Sequence, residues 1–190
     1  ETSKSAEIGL SYQATKSTKI KANLYRTRIK NMINWTTVQN GVAEYTSQPD
    51  NTSRATIEGL EIEASHQAGP WSVAANVNFL NAIDNSTKVQ LDRRPRRSLN
   101  LNLSRATSFG DFHSELIINS ERNDVSAAYQ SGGYALVNLM FERQLTAETK
   151  LQMRIDNLFD KTYALARNSN GNYNVSDRGL YVSVLYRPAK

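Results

Sequence analysis

The sequence contains no cysteine, which excludes a disulfide framework, a thiolate metal site and a thiol nucleophile. It has no apolar run near the ~18 residues that mark a membrane-spanning helix. The opening residues Glu1 to Lys4 are polar and no apolar segment follows them, so no signal peptide is read there. Helical periodicity is scarce. Histidine is limited to His66 and His113, in different segments and without carboxylates at metal-ligand spacing; they read as satisfied lumen or rim histidines. No Gly-x-Ser-x-Gly motif, phosphate loop or paired metal motif occurs. These absences leave no catalytic constellation, so an enzyme is not expected, nor is a metal or a cofactor. The low mean hydropathy, −0.56, suggests a soluble protein only if averages are trusted. In a β-barrel each strand alternates apolar and polar residues, and the two faces cancel.

Two-residue alternation is what the chain does have. Ala6, Ile8, Leu10 and Tyr12 alternate with Ser5, Glu7, Gly9 and Ser11. Ile20, Ala22 and Leu24 begin a second run, continued at the even positions by Arg26, Arg28 and Lys30. Either a bulge sits near Leu24 or the strand leaves the apolar zone there. Further runs are Leu60, Ile62 and Ala64; Trp71, Val73, Ala75, Val77 and Phe79; Leu99, Leu101 and Leu103; Phe112, Leu116 and Ile118, with Ile117 out of pattern. Ala135, Val137, Leu139 and Phe141 follow, then Leu151, Met153 and Ile155. In the last run, Leu180 to Arg187, Val182 and Val184 compete in phase with Tyr181 and Leu185. This gives about nine antiparallel strands in an all-β chain.

The connections alternate in length. Short ones fall at Ala14–Thr18, Gln67–Pro70, Thr107–Gly110 and Thr146–Thr149, and long ones at Asn31–Arg54, Asn81–Pro95, Ser120–Gly133 and Phe159–Gly179. A transmembrane barrel has this layout, with tight periplasmic turns at one rim and long extracellular loops at the other. A soluble β-sandwich gives the same residue alternation but no such regularity of loops. Trp71, Tyr12, Phe112 and Phe141 lie near short-turn ends, where interfacial belts place aromatics, although aromatics also suit strands generally. The barrel reading puts Leu60, Ile62, Ala64, Val73, Ala75, Val77, Leu99, Leu101, Leu103, Val137, Leu139, Met153 and Ile155 toward lipid. Glu61, Glu63, Asn76, Asn100, Asn102, Asn138, Arg154 and Asp156 then face the lumen.

The net charge is +5, so nucleic acid and anionic lipid must both be weighed. The densest basic cluster, Arg93-Arg94-Pro95-Arg96-Arg97, sits where a long loop descends into a strand and lacks interleaved aromatics. It reads as a rim or lumen cluster pairing with carboxylates or lipopolysaccharide phosphates, and no nucleic-acid partner is expected. Asn-x-Ser/Thr triplets at Asn34, Asn51, Asn85, Asn102 and Asn174 read as chance. Asp84-Asn85 and Asn172 to Asp177 offer loop oxygens without EF-hand spacing.

The opening Glu1-Thr2-Ser3-Lys4-Ser5-Ala6-Glu7-Ile8-Gly9-Leu10 resembles the start of a late barrel strand in TonB-dependent outer-membrane receptors. Thr56-Ile57-Glu58-Gly59-Leu60-Glu61-Ile62-Glu63, Arg94-Pro95, Gly133-Tyr134-Ala135-Leu136-Val137-Asn138-Leu139 and Arg178-Gly179 are similar to that family in order and spacing. The most specific match is Asp156-Asn157-Leu158-Phe159-Asp160-Lys161-Thr162-Tyr163. Ala164 to Asn174 and Tyr186-Arg187-Pro188 look most like cobalamin transporters. The resemblance implies that residues 1–190 are the C-terminal portion of a barrel of about 22 strands. The family's plug domain and its TonB-contact segment are not in this sequence. The ending Pro188-Ala189-Lys190 also departs from the aromatic terminus common in outer-membrane proteins.

The resemblance further implies a receptor in the bacterial outer membrane that imports a scarce nutrient chelate, cobalamin or a ferric siderophore. Its partners would be that small molecule, outer-membrane lipid and lipopolysaccharide, and TonB through the absent N-terminal segment. The alternative is a small passive porin-like or adhesive barrel. Loops on a rigid scaffold carry function, and aromatics and arginines dominate tight contacts. Candidate ligand contacts are therefore Trp35, Tyr45, Arg93, Arg122, Tyr129, Arg167, Tyr173 and Arg178. Finally, a segment of a larger barrel has first and last strands that do not pair with each other.

Overall fold

The computed structural model describes residues 1–39, 45–124, 129–168, 170–175 and 177–188; within these, the side chains at 34, 36–39, 45, 52 and 168 are not described. The main sheet contains β1 (Thr2–Thr15), β2 (Thr18–Gln39), β3 (Tyr45–Ala68), β4 (Trp71–Asp84), β5 (Arg97–Thr107) and β6 (Gly110–Asn119). Beyond two short strands, β7 (Arg122–Asn123) and β8 (Gln130–Ser131), it continues with β9 (Tyr134–Gln144) and β10 (Thr149–Asp156). A second small hairpin, β11 (Ala164–Asn168) and β12 (Gly171–Asn174), precedes the last strand, β13 (Gly179–Tyr186). Nine strands form one antiparallel sheet in the order β1-β2-β3-β4-β5-β6-β9-β10-β13, and the two hairpins form separate ribbons. β1 and β13 are the edges and do not pair with each other, as expected for a segment of a larger barrel.

Register sorts the residues into two faces. One row runs Leu10, Ala22, Ile62, Val77, Leu99, Ile118 and Ala135 across seven strands. The row beside it, one residue along each strand, includes Lys21, Glu63, Asn76 and Asn100. The apolar residues assigned to lipid and the polar residues assigned to the lumen thus fall on opposite faces. The buried hydrophobics among the described residues are only Ala55, Ala82 and Leu136, while Ile8, Leu10, Leu24 and Val184 are more than half exposed. A sandwich would bury the apolar face against a second sheet; here one sheet presents it outward.

The apolar band has charged limits. On β5 the apolar face reads Arg97, Leu99, Leu101, Leu103, Arg105. The arginines are eight steps apart, about 27 Å along a strand at ~3.4 Å per residue. At a tilt of roughly 40° that is about 21 Å of height, close to the ~25 Å band of an outer-membrane barrel.

The structure corrects or resolves three readings. The β1–β2 register is unbroken through Leu24, so Arg26, Arg28 and Lys30 continue the apolar face beyond the band. The bulge lies further on, between Ile29 and Ile33, where Asn31 takes a positive φ of 52° that Asn tolerates. On β13, Leu180, Val182 and Val184 pair with Ile155, Met153 and Leu151 on the apolar face. Tyr181 faces the other way, with Arg154 over its ring at 4.7 Å. Asn31–Arg54 is mostly not a loop: β2 and β3 stay paired from Ile33↔Asn51 to Gln39↔Tyr45. Ile33, Thr36, Thr37 and Val38 suit a strand. They lack clean alternation, so the period-two signal does not reveal them.

The short connections are tight turns. Gly69 has φ 56° at the first position of the Gly69-Pro70 turn, a conformation glycine adopts freely. Gly110 has φ 151°, and a Cβ there would lie 2.5 Å from the Phe141 ring.

Candidate functional site

The long connections meet at the end of the sheet away from the short turns, and one aspartate gathers three of them. Asp124 follows β7 and is fully buried. Its Oδ1 accepts the Nε of Arg93, from the β4–β5 connection, at 2.7 Å. Its Oδ2 accepts the backbone N–H of Arg167 on β11 and the hydroxyl of Ser131 on β8 at 3.2 Å. Ser131 is also fully buried. The backbone joins the same knot: the Arg93 N–H donates to the Asn123 carbonyl at 2.7 Å, and the Asp124 N–H donates to that of Tyr129 at 2.7 Å. Arg93 has a φ of 58°, unusual for a long side chain, and is anchored through both backbone and guanidinium.

Burial opposes ionisation of Asp124. The Arg93 guanidinium, the Arg167 N–H and the Ser131 hydroxyl outweigh it and hold the carboxyl below the ordinary aspartate range. Arg93 is correspondingly harder to deprotonate, chiefly through its hydrogen bond to Asp124. Asp92 moves the other way: burial first, then the neighbouring Asp124 charge, push its carboxyl up.

Two more candidate arginines act within the loops. Arg122 is buried, and its Nη2 donates to the carbonyls of Leu165 and Ala164 on β11. The Nη1 of Arg167 donates to the Gln130 carbonyl at 2.9 Å. Arg178 works at the base of the last loop, where its N–H donates to Asp160 Oδ1 at 2.8 Å and its Nη1 to the Leu158 carbonyl at 3.3 Å. Of the aromatic candidates, Trp35 is 70% exposed on the β2–β3 ribbon and Tyr173 is 55% exposed on β12. Tyr129 is half-buried and enters the knot through its carbonyl. Tyr45 opens β3, and its side chain lies outside the described residues.

The structure also gives the Asp156–Tyr163 motif a physical role. Asn157 is buried with a φ of 53°. Its side chain accepts the Lys161 N–H at 2.8 Å and donates to the Lys161 carbonyl at 3.0 Å. Its own N–H donates to Asn138 Oδ1 at 2.9 Å. The motif therefore closes the end of β10 onto β9. Beyond it the Tyr163 ring packs on that of Tyr134, centroids 4.4 Å apart, and burial followed by Tyr134 pushes its phenol up. Tyr134, Ile117 and Leu136 share the polar face, which explains why Ile117 breaks the apolar pattern of β6: with Tyr163 and Val175 it lines a hollow there.

The polar face carries ion pairs, Lys21–Glu63 at 2.8 Å and Lys150–Glu142 at 2.6 Å. His113 lies on it, 2.9 Å from the Ser104 hydroxyl. His66 reaches Thr18 near the short-turn rim at 2.7 Å. Among the described residues no group of His, Cys, Asp and Glu could hold a metal ion. In the basic cluster, Arg93 pairs with Asp124 as above and Arg94 donates to the Asp92 carbonyl.

Sequence and structure comparisons agree with this geometry. A family profile described as TonB dependent receptor-like, beta-barrel, matches residues 1–158. A vitamin B12 transporter BtuB of Vibrio vulnificus is 34% identical over 190 residues, 98% of this chain and 30% of that protein. A BtuB of Photobacterium profundum is 26% identical, covering 86% of this chain and 26% of that protein. Among solved structures, the copper transporter OprC superposes with a TM-score of 0.82 at 20% identity, over 97% of this chain and 31% of that one. The pyoverdine receptor FpvA from Pseudomonas aeruginosa PAO1 gives 0.78 at 18% identity, over 97% and 29%. The chain thus spans about a third of the length of the relatives it matches. The superpositions show the same fold, and the profile match over most of its length establishes that the chain belongs to the TonB-dependent receptor β-barrel family.

Proposed function

We propose that this chain is the C-terminal wall and extracellular loop set of an outer-membrane receptor that imports a scarce nutrient chelate, with a corrinoid of the cobalamin type as the first candidate. The observation that carries the reading is the asymmetric sheet: tight turns at one end, and at the other long connections, three of them tied through Asp124 into one platform. The relative at 34% identity is named a vitamin B12 transporter, which puts a corrinoid ahead of the ferripyoverdine bound by a structurally similar receptor. Arg93, Arg122, Arg167 and Arg178 act in this reading by fixing loop shape, and the exposed rings of Trp35 and Tyr173 touch the ligand. A plug domain and a TonB-contacting segment, supplied by chain outside this sequence, gate the passage. The polar face, with Lys21–Glu63 and Lys150–Glu142, lines the lumen.

The test is equilibrium binding of labelled cyanocobalamin and of ferric siderophores to the complete receptor. Cobalamin binding that weakens about tenfold in each of Trp35→Ala and Tyr173→Ala, as a contact worth more than 1 kcal/mol requires, supports the reading. Binding of ferric chelates alone moves the substrate class, and binding of neither overturns the import reading.

A further inference from the structure

The apolar face is not uniform near the short-turn rim. Phe112 packs against Phe141 with centroids 4.9 Å apart and against Phe109 of the β5–β6 turn at 5.7 Å. Trp71 stands on the same face with the Arg105 guanidinium over its ring at 4.9 Å. Between these aromatics and the aliphatic residues Leu103, Leu139, Met153 and Ile155 lies an open groove of about 1160 Å³. Its depth has a simple origin. Ser114 sits between Leu103 and Leu139 in register, so one small side chain interrupts a row of large ones.

One cation lines this groove, and a second stands beyond it on the same face. Arg105 lines it. Arg143 lies on the same face as Phe141, one step closer to the rim, opposite Leu151. Both are exposed, and among the described residues no carboxylate pairs with either. The acids nearby, Asp111 and Glu142, pair in register with each other on the opposite face, and Glu142 is taken by Lys150. An unpaired guanidinium at a membrane surface favours an anionic headgroup, and the aliphatic row leads from that headgroup level toward mid-membrane.

We infer that the short-turn rim of the apolar face binds one anionic phospholipid of the periplasmic leaflet, its headgroup at Arg105 and Arg143 and an acyl chain in the groove over Ser114. The inference rests on the outer-membrane placement proposed above but not on which nutrient is imported. The headgroup is recognised by charge and the chain by shape, so the two parts are separable.

The experiment uses the complete receptor, reconstituted in mixed phosphatidylglycerol and phosphatidylethanolamine vesicles, extracted in mild detergent and analysed for retained lipid by native mass spectrometry. The unmodified receptor should retain phosphatidylglycerol in preference to phosphatidylethanolamine. Arg105→Gln with Arg143→Gln should abolish that preference, about fivefold for each charge removed. Ser114→Leu fills the groove while leaving both arginines, and should lower retention of both lipids. Equal retention of the two lipids by the unmodified receptor shows a belt that merely marks the interface, and overturns the proposal. An unchanged preference in the double variant overturns the headgroup assignment, and unchanged retention in Ser114→Leu overturns the groove. Nutrient binding on the same samples separates the two readings: a receptor that binds neither cobalamin nor ferric chelate yet retains phosphatidylglycerol selectively leaves the lipid site standing.

Discussion

The wall of the sheet and the loop platform above it are held together in different ways. In the wall each strand depends on its immediate neighbours, through a ladder without register shifts from β3 to β13. In the platform the decisive bonds join residues far apart in sequence, Arg93 with Asp124 and Arg167 with Asp124. Damage to the wall should therefore prevent assembly as a whole. Damage to the platform should change loop shape and leave the barrel standing.

The largest effect is expected in the wall. Leu101 sits midway between Arg97 and Arg105 on the apolar face. Leu101→Arg places a charge near mid-membrane and should cost about 2–4 kcal/mol. The neighbouring Asn100→Arg points to the polar face and should be tolerated. Folding titrations of the complete barrel into lipid vesicles measure both, and equal penalties would show that the two faces are not as distinct as the register makes them.

Asp124→Ala comes next, and it should touch only the platform. It leaves the buried Ser131 hydroxyl without an acceptor, a cost of about 1–3 kcal/mol, and frees the part-buried Arg167 N–H; the Arg93 side chain reaches solvent and is not counted. Hydrogen exchange should rise in residues 122–124, 129–131 and 164–168, with β5 and β6 unchanged. Faster exchange in β5 would mean that wall and platform are one cooperative unit. Acid should act in the same direction. The folded-state pKa of Asp124 is lowered, so its contribution is complete above the ordinary aspartate value of about 3.9. It is lost as pH falls below that value and through the lowered one. Loop protection should therefore hold at mildly acid pH and fail only in strong acid, and Asp124→Asn should remove that acid step.

This contrast also explains how much could be read from the chain. The wall was legible because lipid on one side and water on the other impose a two-residue period, and Leu99, Leu101 and Leu103 display it plainly. The period vanished where those surroundings end: at Arg26, Arg28 and Lys30 beyond the band, and along Ile33 to Val38 in the protruding ribbon. Ile117 and Tyr181 confused the phase because each is packed on the polar face, Ile117 beneath a loop and Tyr181 against Arg154. The platform was hardly legible. Arg93, Arg122 and Arg167 stand out by residue type, but type alone does not distinguish an arginine that meets a ligand from one that ties loops. Asp124 itself has no local signature. Only the approach of three distant segments makes it a buried acceptor.

Tyr163 joins the two regions and carries the smallest expected effect. It leaves the last long connection and packs on Tyr134 of the wall, above the hollow that includes Ile117 and Leu136. An aromatic pair of this kind contributes about 0.5–1.5 kcal/mol beyond its buried area. Tyr163→Leu keeps most of the apolar volume but removes the ring contact, so it should loosen the loop by about that amount without disturbing assembly. The base of the connection should stay fixed, because Asn157 holds Lys161 and Asp160 holds Arg178 independently of the ring. Exchange should thus increase at residues 163–168 and stay level at 157–161, and the Tyr134→Leu variant should reproduce the pattern. If both variants instead raised exchange at 157–161, the motif and the aromatic contact would act as a single clasp, and the boundary between wall and platform would have to be drawn above Tyr163 rather than below it.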